Sequence, residues 1–299
     1  MNGIINIYKE AGYTSFDVVA KMRGILKTRK IGHTGTLDPA ATGVLPVCVG
    51  NATKAAEFLA DHDKEYIAEL LLGVTTDTLD TTGQVLETRP VTCDEEEVRA
   101  AILSFLGVSE QIPPMYSAVK VNGKRLYELA RAGREVERTP RSIEITGLEI
   151  LSLKLPVVSF RVVCSKGTYI RSLCQDIGEK LNCGGCMQSL ERTRVGAFDK
   201  STAVTLVELE RHRDAGTLPE IVLGVDQIFM QYQAVTLKDR FMKIAENGNK
   251  LRTETLTEPV LLSDGEKVRL YGEDERFYGV YEYRSAEAVL KPVKFFLTK

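Results

Sequence analysis

The chain has 299 residues, 43% hydrophobic and 27% charged, with a formal net charge of −2 at pH 7. That length holds one large domain or two ordinary ones, and the composition is that of a soluble globular chain. No apolar run approaches the ~20 residues of a membrane-crossing helix, and a near-neutral balance gives no whole-surface attraction to a polyanion, so any contact with nucleic acid must rest on a local patch.

The start, Met1-Asn2-Gly3-Ile4-Ile5-Asn6, has no basic region and no long apolar core. It does not read as a signal peptide, and a cytoplasmic protein is expected. Residues 3–8 form a short apolar strand. Thr14 or Ser15 then caps a helix in which Phe16, Val19, Met22 and Leu26 recur at helical spacing. Lys21, Arg23, Lys27, Arg29 and Lys30 follow with no acid between Val18 and Leu37. Next comes the run Gly32-His33-Thr34-Gly35-Thr36-Leu37-Asp38-Pro39-Ala40-Ala41-Thr42-Gly43-Val44-Leu45-Pro46, whose glycines and prolines mark turns. Residues 44–49 predict a buried strand, 53–59 a helix and 65–72 a strand.

Thr92 with Glu95 makes a capping-box pattern opening a helix to Phe105, stopped by Gly107. Gln111-Ile112-Pro113-Pro114 forms no regular element. Residues 119–122 lead into a turn at Asn122-Gly123, and 126–131 form a short helix ended by Gly133. Residues 142–155 and 157–164 are β-rich, and 168–181 are helical. Strands and helices mix without a βαβ rhythm, which predicts an α+β fold: a mixed, largely antiparallel sheet flanked by helices. Near residue 233 the character changes. A helical stretch at 238–246 and a turn at Asn247-Gly248-Asn249 precede short strands at 260–262, 267–271, 277–283 and 289–296, the spacing of a small barrel. The expected division is 1–232 and 233–299.

Asp38 is the only carboxylate in its loop. On a Leu-Asp-Pro turn it is either a turn former, bonding its own backbone, or a nucleophile that the glycines let approach a ligand. His33 beside it is an acid/base, a stacker or a polar loop residue. Ser165-Lys166-Gly167-Thr168-Tyr169-Ile170-Arg171 joins a strand to a helix. There Arg171 is either a surface residue behind a Thr168 cap or a counter-charge that lowers an Asp pKa, and Tyr169 offers a stacking face. Tyr66 opens a strand, where an aromatic faces the core by default. Between Lys120 and Arg141, basic residues outnumber acids, as in a nucleic-acid-contacting segment.

Among the six cysteines only Cys183-Gly184-Gly185-Cys186 has ligand-like spacing, and it lacks the second pair that a structural zinc wants. No phosphate-binding, dinucleotide-binding, zinc-protease or serine-hydrolase motif is present, so neither cofactor nor metal is expected.

Taken together these segments resemble the bacterial tRNA pseudouridine-55 synthase family, TruB. Four motifs occur in order: Gly-His-Thr-Gly-x-Leu-Asp-Pro-x-Ala-Thr-Gly, Asp-Lys-x-Tyr, Gln-x-Pro-Pro-x-Tyr-Ser-Ala-x-Lys and Ser-Lys-Gly-Thr-Tyr-Ile-Arg. The resemblance implies isomerisation of a T-loop uridine by a carboxylate nucleophile, Asp38, with Arg171 as its basic partner and Tyr66 as a base-stacking, proton-moving tyrosine. It implies that Tyr169 is a second aromatic of the site, Leu190 an apolar wall, and His33 a residue that intrudes into the T-loop. Lys9 and Lys54 fall at basic positions in family-like segments. Residues 111–141 match an RNA-closing insertion, and the C-terminal part a PUA-like barrel that touches the acceptor stem. A monomer acting on tRNA without a protein partner is expected.

Overall fold

A computed structural model describes residues 1–296, so the last three residues of the expected 233–299 unit lie outside the described part. The strands are β1 (Gly3–Lys9), β2 (Ile31–His33), β3 (Thr42–Val49), β4 (Lys64–Leu72), β5 (Val74–Thr76), β6 (Val85–Thr88), β7 (Gly107–Gln111), β8 (Lys120–Val121), β9 (Lys124–Arg125), β10 (Arg141–Lys154), β11 (Val157–Cys164), β12 (Gly185–Val195), β13 (Phe198–Asp199), β14 (Val222–Leu223), β15 (Gln233–Leu237), β16 (Leu251–Arg252), β17 (Lys267–Gly272), β18 (Phe277–Arg284) and β19 (Val289–Phe295). The α-helices are α1 (Ser15–Leu26), α2 (Ala56–Ala60), α3 (Glu95–Leu103), α4 (Leu126–Arg131), α5 (Ile170–Lys180), α6 (Leu206–Ala215) and α7 (Met242–Glu246).

A ten-stranded sheet runs β14-β1-β3-β12-β4-β11-β10-β7, with β2 added to β3 and β13 to β12. Its pairs are antiparallel except β12 with β3. This is the mixed sheet with flanking helices that the sequence predicts. Strict alternation builds its centre: Lys64, Tyr66, Ala68, Leu70 and Leu72 of β4 all point inward, as do Val158, Phe160, Val162 and Cys164 of β11. Each fully buried Val or Phe contributes about 1.5–3 kcal/mol. Helices α3 and α5 cover the β4–β11–β10 half, while α1 and α6 cover the β1–β3 half.

The strands from β15 to β19 form a second, five-stranded sheet in the order β15-β17-β18-β19-β16. It packs back on the large sheet: Val280 and Phe296 share a cluster with Ile4, Val44, Leu59 and Phe229.

Several local expectations change. The cap of α3 is Asp94, bonded reciprocally with Glu97, rather than Thr92 with Glu95, and Gly107 opens a strand. On α1 the buried stripe is Val18, Val19, Met22 and Ile25, which leaves Phe16 exposed; Thr14 caps it through a box with Asp17. Tyr169, not Thr168, occupies the N-cap of α5, because the Thr168 hydroxyl donates to the Ser165 carbonyl instead. Residues 53–59 begin as a 3₁₀ turn before α2. Residues 260–262 form no strand, and β12 was not anticipated.

Candidate active site

The loop between β2 and β3 is tied down along its length. At one end the Thr34 amide donates to the Pro46 carbonyl at 3.3 Å. In the middle the Ser15 hydroxyl, at the start of α1, accepts from the Leu37 amide at 2.9 Å and donates to its carbonyl at 3.3 Å. Further on, the Gly12 amide donates to the Pro39 carbonyl, and the Ala41 amide closes a turn on the Asp38 carbonyl. The Leu37 side chain is sunk in the core with Tyr66, Leu190 and Ile170. Burying Leu37 forces its neighbour Asp38 outward, and the Asp38 side chain is 36% exposed.

Arg171, on the first turn of α5, faces it. The Arg171 Nε lies 2.9 Å from Asp38 Oδ2, and an Nη2 proton is donated to Oδ1 at 3.1 Å. Such a two-point pair fixes orientation as well as charge. The remaining donors go to the Thr78 carbonyl at 3.0 Å and the Tyr116 carbonyl at 2.8 Å, and the side chain is only 6% exposed. Burial raises the Asp38 pKa, against the pull of Arg171; Asp80 adds to the rise. The guanidinium expected to lower it therefore only offsets the cost of desolvation.

Tyr66 sits on the buried face of β4 with its phenol pushed up by burial and partly pulled back by Arg192. Leu190, on β12, packs in the same cluster. Tyr169 is half-buried; its amide donates to Gln111 Oε1 at 2.7 Å and its carbonyl accepts from Gln111 Nε2 at 3.0 Å. His33 ends β2, half-buried, with an Nδ1 that has no partner; burial and then Arg192 lower its pKa. The structure thus brings Asp38, Arg171, Tyr66 and Leu190 together, with Tyr169 two residues before Arg171 in sequence.

Of the two lysines, Lys54 lies apart from the site and Lys9 lies beneath the Asp38 loop. Lys54 donates to the Phe295 carbonyl at 3.2 Å, in the junction between the sheets. Lys9 is wholly buried and donates to the carbonyls of Tyr13 at 2.7 Å, Glu10 at 3.1 Å and Pro39 at 3.2 Å. It braces the Asp38 loop from below. Burial pushes it down to about 8. Lys9→Met leaves three carbonyls without this donor and is expected to destabilise the protein by about 1–3 kcal/mol at neutral pH. The unfolded chain binds this proton up to the ordinary lysine value, whereas the folded chain releases it near about 8. The Lys9 contribution to stability therefore rises with pH above that point, and urea midpoints taken in neutral and alkaline buffer should show Lys9→Met losing that rise.

Two residues of the site escaped the sequence reading. Asp80, 9% exposed, lies 3.9 Å from Arg171 and accepts from the Thr78 hydroxyl at 2.8 Å and the Thr82 amide at 3.0 Å. Arg192, 2% exposed, donates from Nε to the Val44 carbonyl at 2.7 Å. The one available signal was their setting: Asp80 in a threonine-rich turn, and Arg192 two residues after Leu190. Cys183 and Cys186 are buried free thiols.

A family model described as TruB family pseudouridylate synthase (N terminal domain) matches residues 23–170, and a second, tRNA pseudouridylate synthase B C-terminal domain, matches residues 171–230. The chain is 50% identical over 308 aligned residues to tRNA pseudouridine synthase B of Lachnoclostridium phytofermentans, covering 99% of this chain and 100% of that protein. It is 47% identical over 280 residues to the protein of the same name from Clostridium kluyveri, covering 94% and 95%. Among solved structures, an H/ACA RNP bound to a substrate RNA containing 2′-deoxyuridine matches with a TM-score of 0.75 and 25% identity, over 99% of this chain and 85% of that one. A Cbf5-Nop10-Gar1 complex matches with a TM-score of 0.75 and 27% identity over the same shares.

A mixed sheet that carries an arginine-paired aspartate on the loop between two of its strands, with these relatives, defines a pseudouridine synthase. The chain belongs to the TruB family of these enzymes.

Proposed function

We propose that this protein converts a T-loop uridine of tRNA, at position 55, to pseudouridine, with Asp38 as the nucleophile. The observation that carries the reading is the Asp38–Arg171 pair, 2.9 Å and 3.1 Å at its two contacts, on a half-exposed loop above Tyr66. In the reaction the N1–C1′ bond breaks, the base turns, and a C5–C1′ bond forms. The C5 proton leaves and N1 takes one up, so substrate and product are isomers and no redox partner is consumed. Asp38 supplies the electron pair, attacking either C1′ or C6, or assisting a glycal-like route. Arg171 stabilises its charge, and Tyr66 and Tyr169 offer faces to the extruded base. Leu190 walls the pocket, and His33 occupies the space beside it. Extrusion costs a few kcal/mol of stacking, offset by contacts to the flipped base.

Binding is assigned to two basic segments. Lys120, Lys124, Arg125, Arg131, Arg134 and Arg141 are all exposed on the 111–141 insertion, and Lys21, Arg23, Lys27, Arg29 and Lys30 on and after α1. Phosphate contacts of this kind dominate affinity. The insertion is rooted on α5, where the Ser172 hydroxyl donates to the Ile112 carbonyl and Arg171 to that of Tyr116. Residues 1–232 are read as the catalytic domain and 233–299 as a PUA-like module facing the acceptor stem, the whole acting as a monomer in the cytoplasm. The test is incubation with unmodified tRNA followed by chemical mapping of pseudouridine. Product at the T-loop uridine is expected; folded protein and intact tRNA with no product there overturns the reading.

A further inference from the structure

Arg192 is a buried cation that the reaction as written does not use. It lies at a central point of the large sheet, paired across β12 with Tyr66 of β4 on one side and Gly43 of β3 on the other. Those two strands carry the tyrosine and receive the end of the nucleophile loop. The approach to β3 is so close that a Cβ on Gly43, whose φ is +108°, would come within 2.1 Å of the Arg192 carbonyl oxygen. The side chain is 2% exposed. No carboxylate lies within 4.0 Å of it among the described residues.

An arginine sealed in this way is costly unless its donors are used. Nε donates to the Val44 carbonyl at 2.7 Å, in β3 just after the loop, and Nη2 to the Gly35 carbonyl at 3.2 Å, near the loop's start. Arg192 and Tyr66 are direct register partners on the neighbouring strands β12 and β4, so their side chains lie on the same face of the sheet. One rigid fork therefore bonds both ends of the segment that presents Asp38, from the β12 position that pairs with Tyr66. A lysine, with a single point of charge on a flexible stem, cannot reproduce that span.

We propose that Arg192 is a positioning residue for the isomerisation, clasping the two ends of the Asp38 loop to Tyr66 so that nucleophile and tyrosine are held in register. This rests on the proposed function. It assigns Arg192 no contact with substrate, only control of where two substrate-facing groups stand. Displacement of a reacting group by about 1 Å can cost on the order of 100-fold in rate, and RNA affinity, carried by surface phosphate contacts, is not touched.

The experiment uses the full chain and a T-stem-loop RNA under single-turnover and steady-state conditions. Arg192→Lys and Arg192→Met are compared with wild type, Tyr66→Phe and the Tyr66→Phe/Arg192→Lys double variant. Wild-type turnover is the arm that tests the function itself. Given that turnover, Arg192→Lys is expected to lower kcat by about 100-fold with KM within about threefold. In the double variant the loss is expected to be smaller than the product of the single losses, because one partner of the clasp is already gone. Hydrogen exchange should show residues 34–42 deprotected in Arg192→Lys while β11 stays protected. If Arg192→Met fails to fold, Arg192→Lys carries the test. The proposal is overturned if Arg192→Lys keeps kcat within about threefold, if its loss multiplies in full with that of Tyr66→Phe, or if exchange rises evenly over the whole sheet.

Discussion

Asp38→Asn is expected to abolish turnover, with a loss on the order of 10⁴-fold or more, while RNA binding stays within about threefold of wild type. The substitution keeps the shape of the side chain and its place between Leu37, buried in the core, and Pro39, held by the Gly12 amide. What it removes is the electron pair and the charge. An amide oxygen can still accept one Arg171 proton, but its NH₂ turns a donor toward a guanidinium that has only donors, so one of the two contacts at 2.9 Å and 3.1 Å is lost. Binding is spared because the basic residues assigned to phosphate are exposed, and among the described residues none of them pairs with this carboxylate, whose partner is Arg171. The measurements are single-turnover formation of pseudouridine and equilibrium binding of the same RNA. Turnover within 100-fold of wild type would remove Asp38 from the nucleophile's role, and a parallel collapse of binding would make it a loop former.

Arg171→Met is expected to lower kcat by about 10²–10³-fold, the range found when one pre-aimed charge-stabilising donor is lost, and also to change the pH dependence. Burial already holds Asp38 above the ordinary carboxylate value, with Arg171 the largest opposing influence and Asp80 a further push upward. Without the guanidinium the pKa of Asp38 rises further. The ionised nucleophile is then lost at a higher pH, so the acid limb of kcat/KM moves toward neutrality and the variant is disproportionately impaired in acid. Arg171→Lys should recover part of the pH shift and little of the rate, since one ammonium cannot serve Asp38 twice and also the carbonyls of Thr78 and Tyr116. A pH–rate profile with the wild-type acid limb in Arg171→Met would contradict this electrostatic account.

The parts of this molecule that declare themselves in sequence do so for identifiable reasons. Strands β4 and β11 alternate buried and half-buried positions without a break. The Asp38 loop concentrates the residues that turns demand. Strand β12 hides because Gln188-Ser189-Leu190-Glu191-Arg192-Thr193-Arg194 is polar at nearly every position, and its centrality comes from strands β3 and β4, far away in sequence. A buried arginine whose donors are satisfied by carbonyls has no local signature, since Gly35 and Val44 are 157 and 148 residues distant. Asp80 reads as one more polar residue of a turn until Arg171, from another helix, arrives 3.9 Å away. Helix caps failed where two candidates compete for one position, as Thr92 and Asp94 do before α3.

The separation between Asp38 and Arg171, 133 residues along the chain, has a consequence for the protein's own synthesis. Translation at roughly 5–20 residues per second delivers the aspartate several seconds before its arginine, and the clasp from β12 later still. Strand β12 enters between β3 and β4, which are already made. A nascent chain that has not yet released that strand lacks the Arg192 hydrogen bonds to Gly35 and Val44. On the roles proposed for these residues, Asp38 stands in its final setting only once the sheet is complete.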